Sequence, residues 1–139
     1  MRLVEQERGG GPVLTTFVGE PACWRSFWGP GGRAWLKPDA LVALRLGAYE
    51  DRWFIEVDRA SESLPTISRK CDGYRRYWQS GTEQARTGVF PRVLWIVPDA
   101  RRAEAVAEVC SRQPAEAWQL FAVAVQGEAV SRLATGAAS

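Results

Sequence analysis

Pro38-Asp39, Glu56-Val57-Asp58-Arg59 and Lys70 are the residues whose types and spacing could do chemistry in this chain. Histidine is absent, which excludes Ser-His and Cys-His nucleophile pairs, histidine bases and histidine-ligated zinc. Three widely spaced cysteines, Cys23, Cys71 and Cys110, form neither a zinc pair nor a disulfide framework and read as reduced packing residues. Carboxylates, hydroxyls, arginines and the only two lysines, Lys37 and Lys70, are what remains. The chemistry such a set supports is a carboxylate-bound cation, and oxygen ligands favour Mg2+ or Mn2+.

The elements that must position these residues follow from periodicity. Val13 to Val18 is β-branched and apolar, bounded by glycines, and reads as a strand. Glu20 to Arg33, with two prolines and three glycines, reads as a loop. Trp35 to Leu46 and Trp53 to Asp58 read as strands joined by a turn over 47–52, too tight for parallel neighbours and so an antiparallel hairpin. Ile67, Cys71, Tyr74 and Trp78 form an apolar stripe on a helix over 64–79, with Ser63 as cap and Gly81 as stop. Val93 to Val97 and Leu120 to Val125 read as buried central strands flanking a helix over 99–112 capped by Asp99. The fold class is thus α/β, a mixed sheet with a leading antiparallel hairpin and flanking helices. Met1 to Arg8 reads as a helix stub, 1–12 as stub and linker, and 127–139 as a frayed tail of a single domain spanning 1–139.

With period two, Glu56 and Asp58 share a strand face while Trp53, Ile55 and Val57 point into an apolar layer. A symmetric turn over 47–52 pairs Leu46 with Trp53. It leaves Asp39 about four residues, roughly 13 Å, from Glu56, unless a bulge intervenes. Asp58 therefore has as good a claim to a cation as Glu56, and it can equally cap the turn that follows. Lys70 lies at the edge of the helical stripe, between Ile67 and Tyr74, and should reach the sheet. It can orient a water or steady a phosphate there, or simply snorkel at the rim. Arg59, Arg69, Arg75 and Arg76 are candidates to meet DNA phosphates, or solvated helix charges. Trp24, Trp28 and Trp35 can stack on bases or pack in a core or interface.

In the segments 36–40 (Leu-Lys-Pro-Asp-Ala) and 54–63 (Phe-Ile-Glu-Val-Asp-Arg-Ala-Ser-Glu-Ser), then Lys70 and Tyr74 to Tyr77, the chain resembles the replication-relaxation family. It does so within the PD-(D/E)xK nuclease-like superfamily, over about residues 13–125. The resemblance implies a restriction-endonuclease-like sandwich acting on DNA in plasmid or mobile-element replication. It implies catalytic Asp39, Glu56 and Lys70, with Mg2+ or Mn2+ held by Asp39, Glu56 and either Asp58 or the Val57 carbonyl. One departure is Asp58, which stands where the general pattern carries lysine; Lys70 on the next helix is then a migrated replacement. The family usually carries an upstream winged helix, for which the chain is too short, so a separate DNA-binding partner is expected. A catalytically inactive DNA-binding or interaction module is the alternative.

Composition bounds the rest. A hydrophobic fraction of 46% and a charged fraction of 24% are ordinary globular values. A net charge of +2 is too balanced to announce nucleic acid alone. The charged N-terminus lacks a signal peptide's apolar core and no apolar run spans a membrane, so a cytoplasmic protein without membrane partners is expected. The first strand lacks a full covering helix, so either a homodimer through Trp24, Phe27 and Trp28 or a loop folding back over that surface is expected.

Overall fold

The computed structural model describes residues 13–129. Gly47 and Ala48 alone connect two long strands, β4 (Ala40–Leu46) and β5 (Tyr49–Val57). A two-residue hairpin turn of the II′ kind needs a positive φ at its first central position, and Gly47 supplies it with φ of 61°. Tyr49 therefore pairs with Leu46, and Ile55 with Ala40. The register lies four residues from the one expected with a six-residue turn, because Tyr49 to Arg52 join the ladder instead of looping out.

Strand β1 (Val13–Gly19) pairs antiparallel with β4 on its other side. Helix α1 (Leu64–Ser80) and the short α2 (Thr82–Thr87) then carry the chain over to β6 (Arg92–Val97), parallel to β5. Helix α3 (Ala100–Ser111) and a 3-10 segment (Ala115–Leu120) lead to β7 (Phe121–Val125), parallel to β6. The result is an α/β arrangement with a mixed five-stranded sheet in the order β1–β4–β5–β6–β7. Strand β6 is central and buried, as its continuous apolar run requires. Strand β7 is apolar as well but stands at the sheet edge, a correction to its expected central place, and Trp118 before it is exposed in the 3-10 segment.

Caps follow the sequence pattern. The Ser63 hydroxyl accepts from Thr66 N–H at the start of α1, and Gly81, in the left-handed region, ends it. Asp99 accepts from Arg102 N–H at the start of α3. The inner stripe of α1 is Ile67, Cys71, Tyr74 and Tyr77; Trp78, expected there, packs only partly against it. This stripe meets Phe54, Val93 and Trp95 of the sheet and Val106, Val109 and Cys110 of α3. The opposite sheet face holds a second apolar layer around Trp53, Leu44, Ile55 and Leu94. Val57, expected to point into that layer, is instead 44% exposed, because it stands where β5 leaves the sheet.

The segment expected to be a loop over residues 20–33, with the first residues of the expected strand 35–46, forms a separate hairpin, β2 (Arg25–Gly29) and β3 (Gly32–Leu36). The ribbon docks on α1, a correction to the expected cover of the first strand by Trp24, Phe27 and Trp28: Phe27 is buried, Trp24 only half-buried and Trp28 74% exposed. Phe27 rests 5.0 Å from the Tyr77 ring and Cys23 is fully buried. The decisive contact is ionic. Arg25 Nε donates to Glu83 Oε1 at 2.9 Å, and Tyr77 Oη donates to the same oxygen at 2.6 Å. Both charges are almost wholly removed from water. The helix stub and most of the tail expected from the sequence lie outside the described residues.

Removing one partner of such a pair strands a charge in the interior. Arg25→Ala should therefore lower unfolding stability by about 3–5 kcal/mol, read from urea titration. A loss under about 1 kcal/mol, the usual worth of an exposed pair, would show that the hairpin is not held this way.

Candidate functional site

Asp39 precedes β4 by one residue and Glu56 is the penultimate residue of β5, so the observed register places them across from each other on the helix-covered face. Asp39 continues the ladder, its N–H donating to the Ile55 carbonyl at 2.9 Å. Its Oδ2 accepts from Val57 N–H at 2.6 Å, which closes the end of the strand pair. The approach to Asp39 is fastened from below by the buried Cys23 thiol, which donates to the Pro38 carbonyl at 3.1 Å. No bulge is needed to bring Asp39 and Glu56 together; the tight turn does it.

Glu56 is buried under α1. Tyr74 Oη donates to its Oε2 at 2.6 Å, and Lys70 Nζ lies 3.6 Å from its Oε1. Burial raises the Glu56 carboxyl to about 7, against the smaller opposing pulls of the Tyr74 hydrogen bond and the Lys70 charge. Burial and the adjoining Glu56 push the Tyr74 phenol well above its ordinary value, so it remains a donor. Lys70 turns toward the sheet, half-buried, and also holds Glu62 at 2.9 Å. Burial alone would lower its pKa, but the hydrogen bond to Glu62 and the charges of Glu56, Glu62 and Asp39 outweigh it and raise it. Its ammonium is therefore a fixed positive charge rather than a base.

Asp58 shares the face of Glu56 but serves a different helix. Both of its oxygens bind the Arg102 guanidinium of α3, at 2.5 and 3.0 Å, and Oδ1 also accepts from Ala60 N–H. The capping role open to it in the sequence is the one the structure displays, with Ala60 in the left-handed region at φ of 61°. Arg102 donates further to the Glu62 carbonyl at 2.7 Å, which holds the loop that carries Lys70's partner.

The basic residues divide. Arg69 is exposed beside the Glu56 cavity and donates to Thr66 Oγ1. Arg76 is exposed two turns further on the same helix face. Arg59 lines a second cleft with Glu20, Asp39, Ser61 and Glu62. Arg75 instead donates to Gln113 at 3.0 Å and pairs with Asp72, tying α1 to the segment after α3.

Glu20 was not singled out by its sequence context, since a lone acid after a strand carries no signal. Interaction with the neighbouring Asp39 carboxyl raises the carboxyl of the exposed Glu20 above the ordinary range. Two oxygen donors side by side suit a hard cation chemically, and Mg2+ is commonly held by one or two carboxylates completed by substrate phosphate. Among the described residues, no three acids or thiols converge on one point.

Two cavities open at the site. One, of about 280 Å3, runs from Trp35 and Lys37 past Arg69 and Lys70 to Glu56 and Tyr74. The other, of about 530 Å3, is the Asp39 cleft. Lys70, bound to both Glu56 and Glu62, stands between them. No helix among the described residues is long and apolar enough to cross a membrane.

The buried Glu56 makes stability depend on pH in a definite direction. Its carboxyl is raised in the folded state from 4.5 to about 7, so the folded protein holds the proton more tightly. Its contribution is complete below about pH 4.5 and is lost as pH rises through about 7. In a chelating buffer, Glu56→Gln should flatten the fall in unfolding free energy across that window, read from urea titrations, by a difference of up to about 3 kcal/mol. Parallel curves for the two proteins would show that Glu56 is not held in this environment.

The sequence model of the replication-relaxation family matches residues 1–93, which include Glu20, Asp39, Glu56, Glu62 and Lys70. No curated protein matches the chain.

Proposed function

Since the chain belongs to the replication-relaxation family, we propose that it acts on DNA in plasmid or mobile-element replication, cleaving or nicking a phosphodiester at the Asp39–Glu56–Lys70 site. The observation that carries this reading is the meeting of two carboxylates from adjacent strands with a charged lysine from the following helix. Pro38-Asp39 opening one strand of a hairpin and Glu56 closing the other is the pattern of PD-(D/E)xK nucleases. The parallel crossover from β5 through α1 to β6 fits the restriction-endonuclease-like sandwich of that superfamily.

The roles follow from the geometry. Asp39, oriented by Val57 N–H, and Glu56, oriented by Tyr74 Oη, would hold Mg2+ or Mn2+, with Glu20 beside Asp39. Such a cation supplies a water of lowered pKa and offsets charge on the phosphate. Lys70, permanently charged, steadies the phosphate as negative charge grows on it. Arg59 and Arg69, one at each cavity, meet the flanking phosphates.

A second reading, a DNA-bound module without cleavage, is favoured by one observation. Both Glu56 oxygens already have partners, Tyr74 and Lys70, and among the described residues no third acid converges with Asp39 and Glu20. Nicking of supercoiled DNA in Mg2+ or Mn2+ separates the two. The first reading expects Asp39→Ala and Lys70→Ala each to reduce nicking by roughly a hundredfold or more. Nicking that survives Asp39→Ala would refute the assignment. DNA retention with no nicking under either cation would leave the second reading.

A further inference from the structure

The β2–β3 hairpin turns its two faces to different tasks. Arg25, Phe27, Ala34 and Leu36 face α1, and Arg25 is locked there by Glu83. Ser26, Trp28, Arg33 and Trp35 face away. Trp28 is 74% exposed and Trp35 58% exposed, large indole surfaces on a ribbon that is otherwise rigidly docked. Trp28 pairs with Arg33 and Ser26 with Trp35, so the two tryptophans are diagonal neighbours on one face, their Cα atoms about 7–8 Å apart by strand geometry. Arg33 is fixed between them: it donates to Ser26 Oγ at 3.0 Å and its guanidinium lies 5.9 Å from the Trp35 ring centre.

The charge of this ribbon is one-sided. Residues 25–37 contain Arg25, Arg33 and Lys37 and no acid. Lys37 sits 4.8 Å from the Trp24 ring centre. Trp35 and Lys37 also form the outer wall of the cavity that descends past Arg69 and Lys70 to Glu56. The stacking surface and the proposed reactive site thus share a wall. Aromatic faces interleaved with cations along a track match an unpaired nucleic-acid strand, whose bases offer π-faces and whose backbone offers negative charge. A duplex keeps its base faces stacked on one another and offers such a surface only phosphate.

We propose that the outer face of the β2–β3 hairpin is a single-stranded DNA platform, on which Trp28 and Trp35 stack bases and Arg33, Lys37 and Arg69 follow the backbone toward Glu56. It rests on the nucleic-acid part of the reading above and not on cleavage. It also states the class of DNA bound: a strand that is locally unpaired.

The full chain should bind a fluorescent oligo(dT) of about 12 nucleotides more tightly than a duplex of equal length at the same salt concentration. Trp35→Ala should weaken that complex by roughly tenfold or more, and Trp28→Ala should weaken it in the same direction. Trp35→Phe should recover most of the loss, which a merely structural role on this exposed face would not predict. Arg33→Ala should reduce the dependence of binding on salt. Equal affinity of the Trp→Ala variants and the unaltered protein for oligo(dT) would overturn the platform. So would duplex binding as tight as single-strand binding. A change in sedimentation on Trp28→Ala with unchanged oligonucleotide affinity would mark the face as a protein contact and overturn it as well. Cleavage is scored separately: Asp39→Ala should lose nicking yet keep its oligo(dT) affinity. Nicking that persists alongside indifferent tryptophans refutes the platform alone.

Discussion

The two-residue turn at Gly47–Ala48 sets the β4–β5 register, and everything at the site depends on that register. Side chains alternate along a strand, so a slip of one residue would send Asp39 and Glu56 to opposite faces. The observed pairing places Asp39 beside the end of β5, where it receives Val57 N–H, and brings it opposite Glu56. The same register exchanges Leu41 with Phe54 on the helix face and Ala40 with Ile55 on the other, so the two apolar layers and the two acids are satisfied together. Burial of those layers resists any alternative pairing, and the site inherits its geometry from the core.

Charge is distributed from this strand pair to two helices. Glu56 and Asp58 leave the same face of the chain end, yet α1 receives the first through Tyr74 and Lys70 and α3 receives the second through Arg102. Asp58 has a complete bidentate partner and serves as a strut for the loop ahead of α1. Glu56 is held by a neutral donor and by a lysine shared with Glu62, so its burial is only partly compensated and its carboxyl rises toward neutrality. An under-compensated acid in a cavity is the usual physical mark of a working group, whereas a fully paired one is the mark of a structural group.

The hairpin β2–β3 shows a second way in which buried charge organises this fold. Arg25 and Glu83 are far apart in sequence and meet under cover of Phe27 and Tyr77. Nothing in the local pattern of residues 20–33 marks a strand pair: Gly29-Pro30-Gly31-Gly32 reads as a loop and the alternation is short. The ribbon forms because its inner face docks on α1, so tertiary burial overrides a weak local preference.

The sequence by itself determined the chemistry available and the strongly patterned elements. Lack of histidine removed whole classes of mechanism, the period of Ile67, Cys71 and Tyr74 marked α1, Ser63 and Asp99 marked helix starts, and the apolar run at Val93 to Val97 marked a buried strand. Asp39, Glu56 and Lys70 were legible as candidates from their types and spacing. Tertiary structure decided which acids meet. A turn of two residues or six fits the segment around Gly47 in sequence, and the structure takes the shorter one, with Gly47 at positive φ and Tyr49 to Arg52 joining the ladder. Glu20 and Arg102 reach their partners Asp39 and Asp58 through contacts between elements distant in the chain, and such contacts leave no periodic trace in sequence. The edge position of β7 has the same origin, since an apolar run reports how much of a strand is buried but not how many neighbours it pairs with.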